Sequence, residues 1–199
     1  MFLVVGLGNP GKRFAETRHN AGFRVVDCVA ERLGCSWKTA DRFSFARGIF
    51  EEKEVYLLKP LTFMNLSGEG LLAFFAHHGH TFEDIIVVHD ELDFPPGVVR
   101  IKRGGGVAGH KGLQSLVDAL GRNDFVRVRV GIGKPKEKHL VVDYVLGVPE
   151  GDERTILEAA ERRAAEAVLC ILECGVEKAM NRFNAREKGE QSGEQKEAC

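Results

Sequence analysis

Short apolar segments alternate with amphipathic segments along most of this chain. Residues Phe2–Leu7 and Ile85–His89 are short apolar runs that predict buried strands. Ala21–Leu33 carries apolar residues at helical spacing and is followed by Gly34, which predicts an amphipathic helix. Intermingled helices and fully apolar strands are typical of a sheet covered on both faces. We therefore predict an α/β fold, a single domain with a twisted mixed (mostly parallel) β-sheet flanked by helices on both faces.

The other predicted elements follow from the same criteria. Residues Phe125–Ile132 alternate, with aliphatic side chains on one face and Arg127 and Arg129 on the other. A glycine-rich segment, Gly104–Gly112, leads into a short helix that ends at Leu120. Further strands are predicted at 43–45, 55–58 and 98–102, and further helices at 67–77, 153–173 and 176–183.

The composition is typical of a globular cytoplasmic protein. Of the 199 residues, 44% are hydrophobic and the net charge is −1, which excludes a disordered chain. The apolar runs are far shorter than the roughly 18 residues of a membrane span, and no basic segment typical of a signal peptide precedes the first of them. Five cysteines without a CxxC pair predict free thiols in the cytoplasm. We expect the domain to cover residues 1–184 and a polar, disordered tail to cover 185–199.

Basic residues are concentrated in one stretch. Between Gly97 and Leu140, ten lysines and arginines stand against three acidic residues, whereas the rest of the chain has an acidic excess. A charge run alone is most often a solvated face. A local basic excess on an otherwise acidic chain favours a polyanion, and nucleic acid in particular, as the partner.

The segment Gly6–Gly11 matches the G-x-G-x-x-G pattern of dinucleotide-binding loops. In those loops a helix begins within the motif and holds a pyrophosphate at its N-terminus. Here Pro10 disfavours helical geometry at Asn9, and residues 12–19 carry no apolar helical stripe. We therefore expect no dinucleotide cofactor, and we interpret the glycines as allowing close approach of the loop backbone.

Polar side chains recur in the predicted loops, namely Asn9, His19, Asn65, Asp90 and His110. Parallel strands would gather such loops at one edge of the sheet, where Asp90 can orient His19 and raise its basicity. No G-x-S-x-G motif is present and none of these loops contains a cysteine, so the site lacks an enzymatic nucleophile. The remaining chemistry is a water activated by His19, with amide donors for the oxyanion, which suits hydrolysis of an activated acyl bond.

Six sequence blocks stand in one order between about Phe2 and Phe183. They are Val5–Gly11, Thr17–Gly22, Pro60–Gly68, His89–Asp93 with Pro95–Gly97, Gly104–Gly112 and Val130–Gly133. Together they resemble the bacterial-type peptidyl-tRNA hydrolase family. The resemblance implies a monomeric domain without metal or cofactor that cleaves the ester between a peptide and the terminal ribose of tRNA.

The resemblance also implies roles for individual residues. His19 matches the catalytic base, and Asp90 matches the carboxylate that stabilises it. Asn9 matches the residue that distinguishes N-blocked peptidyl-tRNA from free aminoacyl-tRNA. The substrate cleft is implied to be lined by Phe63, Met64 and Asn65. The tRNA phosphates are implied to contact four basic residues: Arg100, Lys102, Arg103 and Arg129.

The chain departs from the family pattern at three places, all in the predicted substrate-binding loops. Phe14 stands where tyrosine is usual, so stacking is expected there without a hydroxyl contact. Lys111, next to the substrate-binding residue His110, stands where asparagine is usual and replaces an amide with a charge. Residues Val107 and Ala108 replace a His-Gly pair. Because the catalytic pair and both amides are retained, we expect the chain to be active.

Two alternatives stay open at this point. A non-catalytic RNA-binding protein on the same scaffold would tolerate loss of His19 or Asp90, and both are present. A metallohydrolase could draw its ligands from a set of histidines and aspartates: His19, His89, Asp90, Asp93 and His110. Strand alternation, however, sends His89 and Asp90 to opposite faces, which argues against a shared metal.

Overall fold

The computed structural model describes residues 1–185, which form an α/β fold around one seven-stranded sheet. The strands are β1 (Phe2–Gly6), β2 (Lys38–Thr39), β3 (Phe43–Phe50), β4 (Lys53–Pro60), β5 (Asp84–Glu91), β6 (Val99–Arg103) and β7 (Val126–Gly131). The helices are α1 (Ala21–Leu33), α2 (Ser67–His78), α3 (Lys111–Leu120), α4 (Val141–Val145), α5 (Gly151–Cys174) and α6 (Val176–Phe183). The predicted fold class is confirmed, whereas the short elements β2 and α4 were not predicted.

The strands lie in the order β2-β3-β4-β1-β5-β7-β6. Strands β4, β1, β5 and β7 are parallel to one another, and only β3 and β6 run in the opposite direction to the other five. The sheet is therefore mixed and mostly parallel. Because β1 and β5 are neighbours, the loops that follow them meet at one edge of the sheet.

Each face of the sheet has its own apolar core. Val4 of β1 packs with the residues of α1 and α5, whereas Leu3 and Val5 pack with those of α2 and α3. This division follows from the alternation of side chains along a strand, and it explains why the central strands are apolar throughout. The two helical layers cover β1 and β5 on both faces and so position the loops at their ends.

The described residues also bear on the cysteines and on membrane insertion. Cys28, Cys35, Cys170 and Cys174 are free, as predicted. Cys199 and the predicted tail from residue 186 onward lie outside the described residues. Among residues 1–185, no helix is long and apolar enough to cross a bilayer.

Candidate active site

The loop after β1 brings His19 to Asp90, which lies within the last part of β5 and not, as the sequence had predicted, in a loop after it. Asp90 lies near the end of β5 with its side chain 2% exposed, and His19 lies in the 3₁₀ turn Arg18–Asn20 immediately before α1. The Nδ1 atom of His19 is 2.9 Å from both carboxylate oxygens of Asp90. Since an ionised carboxylate can only accept hydrogen bonds, Nδ1 carries the proton. The lone pair of Nε2 is therefore available to another molecule.

His110 is the third member of this cluster. It caps the N-terminus of α3, where its Nδ1 accepts a 3.3 Å hydrogen bond from the backbone N–H of Leu113. Its Nε2 must then carry the proton, and this atom lies 3.0 Å from Oδ1 of Asp90. Asp90 thus accepts a hydrogen bond from both imidazoles, and these contacts determine the tautomer of each ring.

Burial and charge act in opposite directions on the cluster. Burial alone would lower the pKa of His19, but the charge of Asp90 and its hydrogen bond outweigh burial and raise that pKa above the ordinary histidine value. Burial alone would raise the pKa of Asp90, yet the adjacent imidazoles of His19 and His110 hold it well below its ordinary range. Asp90 is therefore ionised, and His19 is a stronger base than a free imidazole.

His89 does not take part in this cluster. Its Nδ1 donates to the backbone carbonyl of Asp90 at 2.7 Å, and its buried Nε2 has no hydrogen-bond partner among residues 1–185. Burial, together with the charge of His110, lowers the pKa of His89 to about 3. This ring is consequently neutral at physiological pH, and its contacts are those of a structural residue.

The ring nitrogens of His19 and His110 and the carboxylate of Asp90 lie within 4.8 Å of one another, close enough to share a metal ion. The spacings of 2.9 and 3.0 Å between them, however, are those of hydrogen bonds, and each of these atoms is already paired within the cluster. Metal–ligand bonds of about 2.0–2.2 Å would require these contacts to open. Asp93, from the alternative ligand set, instead pairs with Lys134 at 3.0 Å. Hydrogen bonding therefore accounts for the arrangement.

Asn9 presents an oriented amide in the same region. Its backbone N–H and C=O exchange hydrogen bonds of 2.9 Å with the side chain of Asn20, and its own Oδ1 accepts from the N–H of Met64 at 2.7 Å. Because the amide oxygen is occupied, Nδ2 is held as a donor, and it has no partner in the described part of the chain. The loop continues into the 3₁₀ turn Lys12–Phe14 rather than an α-helix, as the restriction imposed by Pro10 predicted.

These side chains line one cleft of about 790 Å³. The cleft contains both predicted catalytic residues and all seven predicted substrate-binding residues: Asn9, Phe14, His19, Phe63, Met64, Asn65, Asp90, His110 and Lys111. The rings of Phe14 and Phe63 meet edge to face, with centroids 6.4 Å apart. The lining also includes Val141 and Val142 of α4, and Val142 is 58% exposed. The pocket therefore combines an apolar surface with a few oriented polar groups, as ligand sites commonly do.

The four predicted phosphate contacts lie outside this cleft, at the β6–β7 edge of the sheet. Arg100 is paired with Arg129 across the two strands, and Lys102 is paired with Arg127. Three of the predicted contacts therefore share one face of the sheet with Arg127, which was not among them. Arg103 belongs to the opposite face of β6. Arg129 lies 4.6 Å from the ring of Phe94 and 3.7 Å from the carboxylate of Glu91. We call Arg100, Lys102 and Arg129 the basic strip.

Arg127 is buried and holds a loop in place, which its position in the basic stretch of the sequence did not predict. It is 2% exposed, and its guanidinium donates to the carbonyl oxygens of Gly105 and Gly106 at 2.6 and 2.7 Å. Arg127 thus anchors the glycine-rich loop that leads to His110. The alternation along β7 placed this arginine on the polar face, but it could not show that the loop covers it.

Two more features of the site were missed from the sequence. The guanidinium of Arg18 makes two 2.8 Å hydrogen bonds to Glu153 and lies 4.4 Å from the ring of Tyr144, which fixes the His19 turn against α4 and α5. The α4 wall was missed because a five-residue helix has no clear periodicity. A cluster of valines next to lysines at 136 and 138 was the available signal for it.

Comparison with known proteins agrees with this geometry. A model of the family described as peptidyl-tRNA hydrolase matches residues 3–192. This chain belongs to the peptidyl-tRNA hydrolase family. It is 52% identical to the peptidyl-tRNA hydrolase of Rubrobacter xylanophilus over 92% of this chain and 99% of that one. The corresponding protein of Caldanaerobacter subterraneus is 45% identical over 92% and 100% of the two chains.

A solved member of the family has the same fold. The crystal structure of peptidyl-tRNA hydrolase from Acinetobacter baumannii superposes with a TM-score of 0.86 at 41% identity, covering 93% of this chain and 95% of that one. The family resemblance inferred from the six sequence blocks is therefore confirmed.

Proposed function

We propose that this protein hydrolyses the ester between a peptide and the terminal ribose of tRNA, using a water activated by His19. The observation that carries the proposal is the pairing of His19 Nδ1 with the buried carboxylate of Asp90. That pairing leaves a basic Nε2 on a residue that lines a large cleft. Family membership supplies the class of substrate.

The proposed reaction begins when Nε2 of His19 accepts a proton from water as the water oxygen attacks the ester carbonyl. The imidazolium that forms is stabilised by the ionised carboxylate of Asp90. When the tetrahedral oxyanion collapses, the C–O bond to the ribose breaks and the ribose oxygen takes the proton from His19. The products are a peptide with a free carboxyl group and tRNA with a free terminal hydroxyl.

Asn9 supports the discrimination between blocked and free amino groups. Its Nδ2 can only donate, because Oδ1 is engaged by the backbone N–H of Met64. An N-acylated residue offers a carbonyl that can accept this hydrogen bond, whereas a free α-ammonium group has no acceptor and leaves the donor unpaired. We assign Asn9 to the peptide bond next to the ester, and Asn65, which is exposed in the same cleft, to the peptide further along.

The basic strip is the proposed contact for tRNA. The other groups named in the proposed reaction all belong to the same chain. A monomeric state and a cytoplasmic location stay predictions. The non-catalytic alternative is less well supported, because the cluster of His19, Asp90 and His110 is complete and an RNA-binding surface does not require it.

The decisive experiment follows release of N-acetyl-aminoacyl product from charged tRNA, with and without EDTA, and uses unblocked aminoacyl-tRNA as the control substrate. We expect rapid cleavage of the blocked ester alone, unaffected by EDTA. Binding of tRNA without cleavage would support the non-catalytic alternative. Loss of activity with EDTA that zinc restores would support the metallohydrolase.

The pH dependence of kcat/KM should report the protonation of His19. Only neutral His19 can accept a proton, so activity is expected to fall as pH decreases through its pKa. Because Asp90 raises that pKa, the acid limb should lie above the ordinary histidine value. A profile measured with N-acetyl-aminoacyl-tRNA tests this, and an acid limb below the value for free imidazole would contradict the proposed role of Asp90.

Replacing Arg129 with alanine should raise KM several-fold and reduce the slope of log KM against log salt by about one, as expected for one lost phosphate contact. Arg129→Lys, which keeps the charge, and Arg32→Ala, on the surface of α1, are the matched controls. The measurement is KM at a series of salt concentrations. An unchanged salt slope in Arg129→Ala would show that the basic strip is only a solvated surface.

A further inference from the structure

A second cavity of about 410 Å³ lies between α2 and α3. Asn65 and Lys111 line both this cavity and the cleft that contains His19, so the two meet at these residues. The cavity also exposes two leucines, Leu66 and Leu72, whose exposed fractions are 38% and 46%. We call this cavity the α2–α3 groove.

Lys111 is the charged residue of the α2–α3 groove that lacks a partner in the described part of the chain. Glu69 lies 3.5 Å from Arg42, and Asp118 accepts a 2.7 Å hydrogen bond from Gln114. The side chain of Lys111 is exposed and forms neither a hydrogen bond nor an ion pair with any described residue. Its charge nevertheless reaches the catalytic cluster, where it acts to lower the pKa of His19. An unpaired positive charge therefore stands at the junction of the two cavities.

The position of the groove favours the peptide rather than the tRNA as its occupant. The basic strip lies on β6 and β7 at one edge of the sheet, whereas α2 packs over β3 and β4 near the other. If the tRNA approaches from the basic strip and the ester lies at His19, the peptide continues away from the tRNA. The exposed leucines of the groove suit peptide side chains, and none of its charged residues belongs to the basic strip.

We infer that Lys111 makes this enzyme favour peptidyl-tRNA whose penultimate peptide residue carries a carboxylate. The inference rests on the proposed hydrolysis and adds a substrate preference to it. Lys111 directly follows His110, which contacts Asp90, and one extended residue spans only about 3.3–3.6 Å. The residue next to the esterified one therefore lies within reach of the long lysine side chain. Its ammonium can pair with a carboxylate, which an amide in the same place could only hydrogen-bond.

The size of the preference follows from the exposure of Lys111. Ion pairs between exposed groups are weak, so we expect an approximately two- to fivefold effect on kcat/KM. Salt screens such pairs, and the preference should therefore decrease as the ionic strength rises.

The test compares acetyl-Glu-Gly and acetyl-Gln-Gly esterified to the same tRNA. Because the two substrates share the ester and the tRNA, a general effect of any substitution cancels in the ratio of their kcat/KM values. We expect the wild-type protein to favour the glutamate substrate, Lys111→Gln to cleave both equally and Lys111→Glu to favour the glutamine substrate. Lys136→Gln is the matched control, since it removes another exposed lysine that lines the same cleft.

The outcomes separate this inference from the proposed function. Equal ratios in the wild-type protein and Lys111→Gln would overturn it, as would loss of the preference in Lys136→Gln instead. Cleavage of both substrates without discrimination leaves the hydrolase function intact and removes only the role of Lys111. Failure of the wild-type protein to cleave either substrate would overturn both.

Discussion

Replacing His19 with alanine is expected to lower kcat for N-acetyl-aminoacyl-tRNA by about 10²–10⁴-fold, the usual contribution of a general base. Binding of tRNA should persist, because the basic strip lies outside the cleft and does not contact His19. Single-turnover rates and tRNA affinity, measured on the same preparations, give the two quantities separately.

The control for this variant is His80→Ala, which removes an exposed histidine beyond the end of α2. It should leave both kcat and affinity unchanged. An unchanged turnover rate in His19→Ala would exclude the proposed mechanism, and a parallel loss of tRNA binding would indicate that His19 serves binding.

Replacing Asp90 with asparagine is expected to lower kcat by about 10²–10⁴-fold, because His19 would lose the tautomer in which it acts as a general base. The carboxylate accepts hydrogen bonds from both His19 and His110, but an asparagine side chain offers an N–H₂ group to one of them. If the asparagine N–H₂ group faces His19, Nδ1 of His19 becomes the acceptor and Nε2 of His19 carries the proton. Nε2 can then no longer activate water. This is the effect that removal of the carboxylate charge has in a serine protease triad.

A pH profile distinguishes this role of Asp90 from a structural one. The negative charge of Asp90 raises the pKa of His19, so its loss should move the acid limb of the remaining activity to lower pH. Asp84→Asn, at the exposed start of the same strand, is the control and should change neither rate nor profile. A lower rate with an unmoved acid limb would mean that Asp90 only maintains the fold around the cleft.

Much of the candidate site was predictable because its residues follow strands whose apolar patterns are unambiguous. Asn9 and Asp90 come at the ends of β1 and β5, and parallel neighbours necessarily place such positions at one edge. The family resemblance then added Phe63 and Met64, which no local pattern indicates. The interpretation of Gly6–Gly11 as a close-packed loop also came from a local restriction, the effect of Pro10 on the residue before it.

Local patterns did not reveal what covers a polar face. Arg127 and Arg129 are two residues apart on the same side of β7, and the sequence pattern predicts the same exposure for both. In the structure, Arg127 is buried under the glycine-rich loop, whereas Arg129 belongs to the basic strip. The difference arises from the path of a loop more than twenty residues earlier in the chain, which no periodicity within β7 can encode.

The amino-acid pattern was sufficient for the fold class, for the faces of the helices and strands, and for the set of candidate catalytic residues. Periodicity records which side of an element is buried, and burial of apolar surface is the main driving force of folding. The tertiary structure decided which polar groups meet and in which protonation state. His19 and Asp90 are 71 positions apart, and only their convergence fixes the tautomers of both imidazoles and frees Nε2 of His19. Hydrogen bonds are short-ranged and directional, so their partners depend on the packed positions of distant segments.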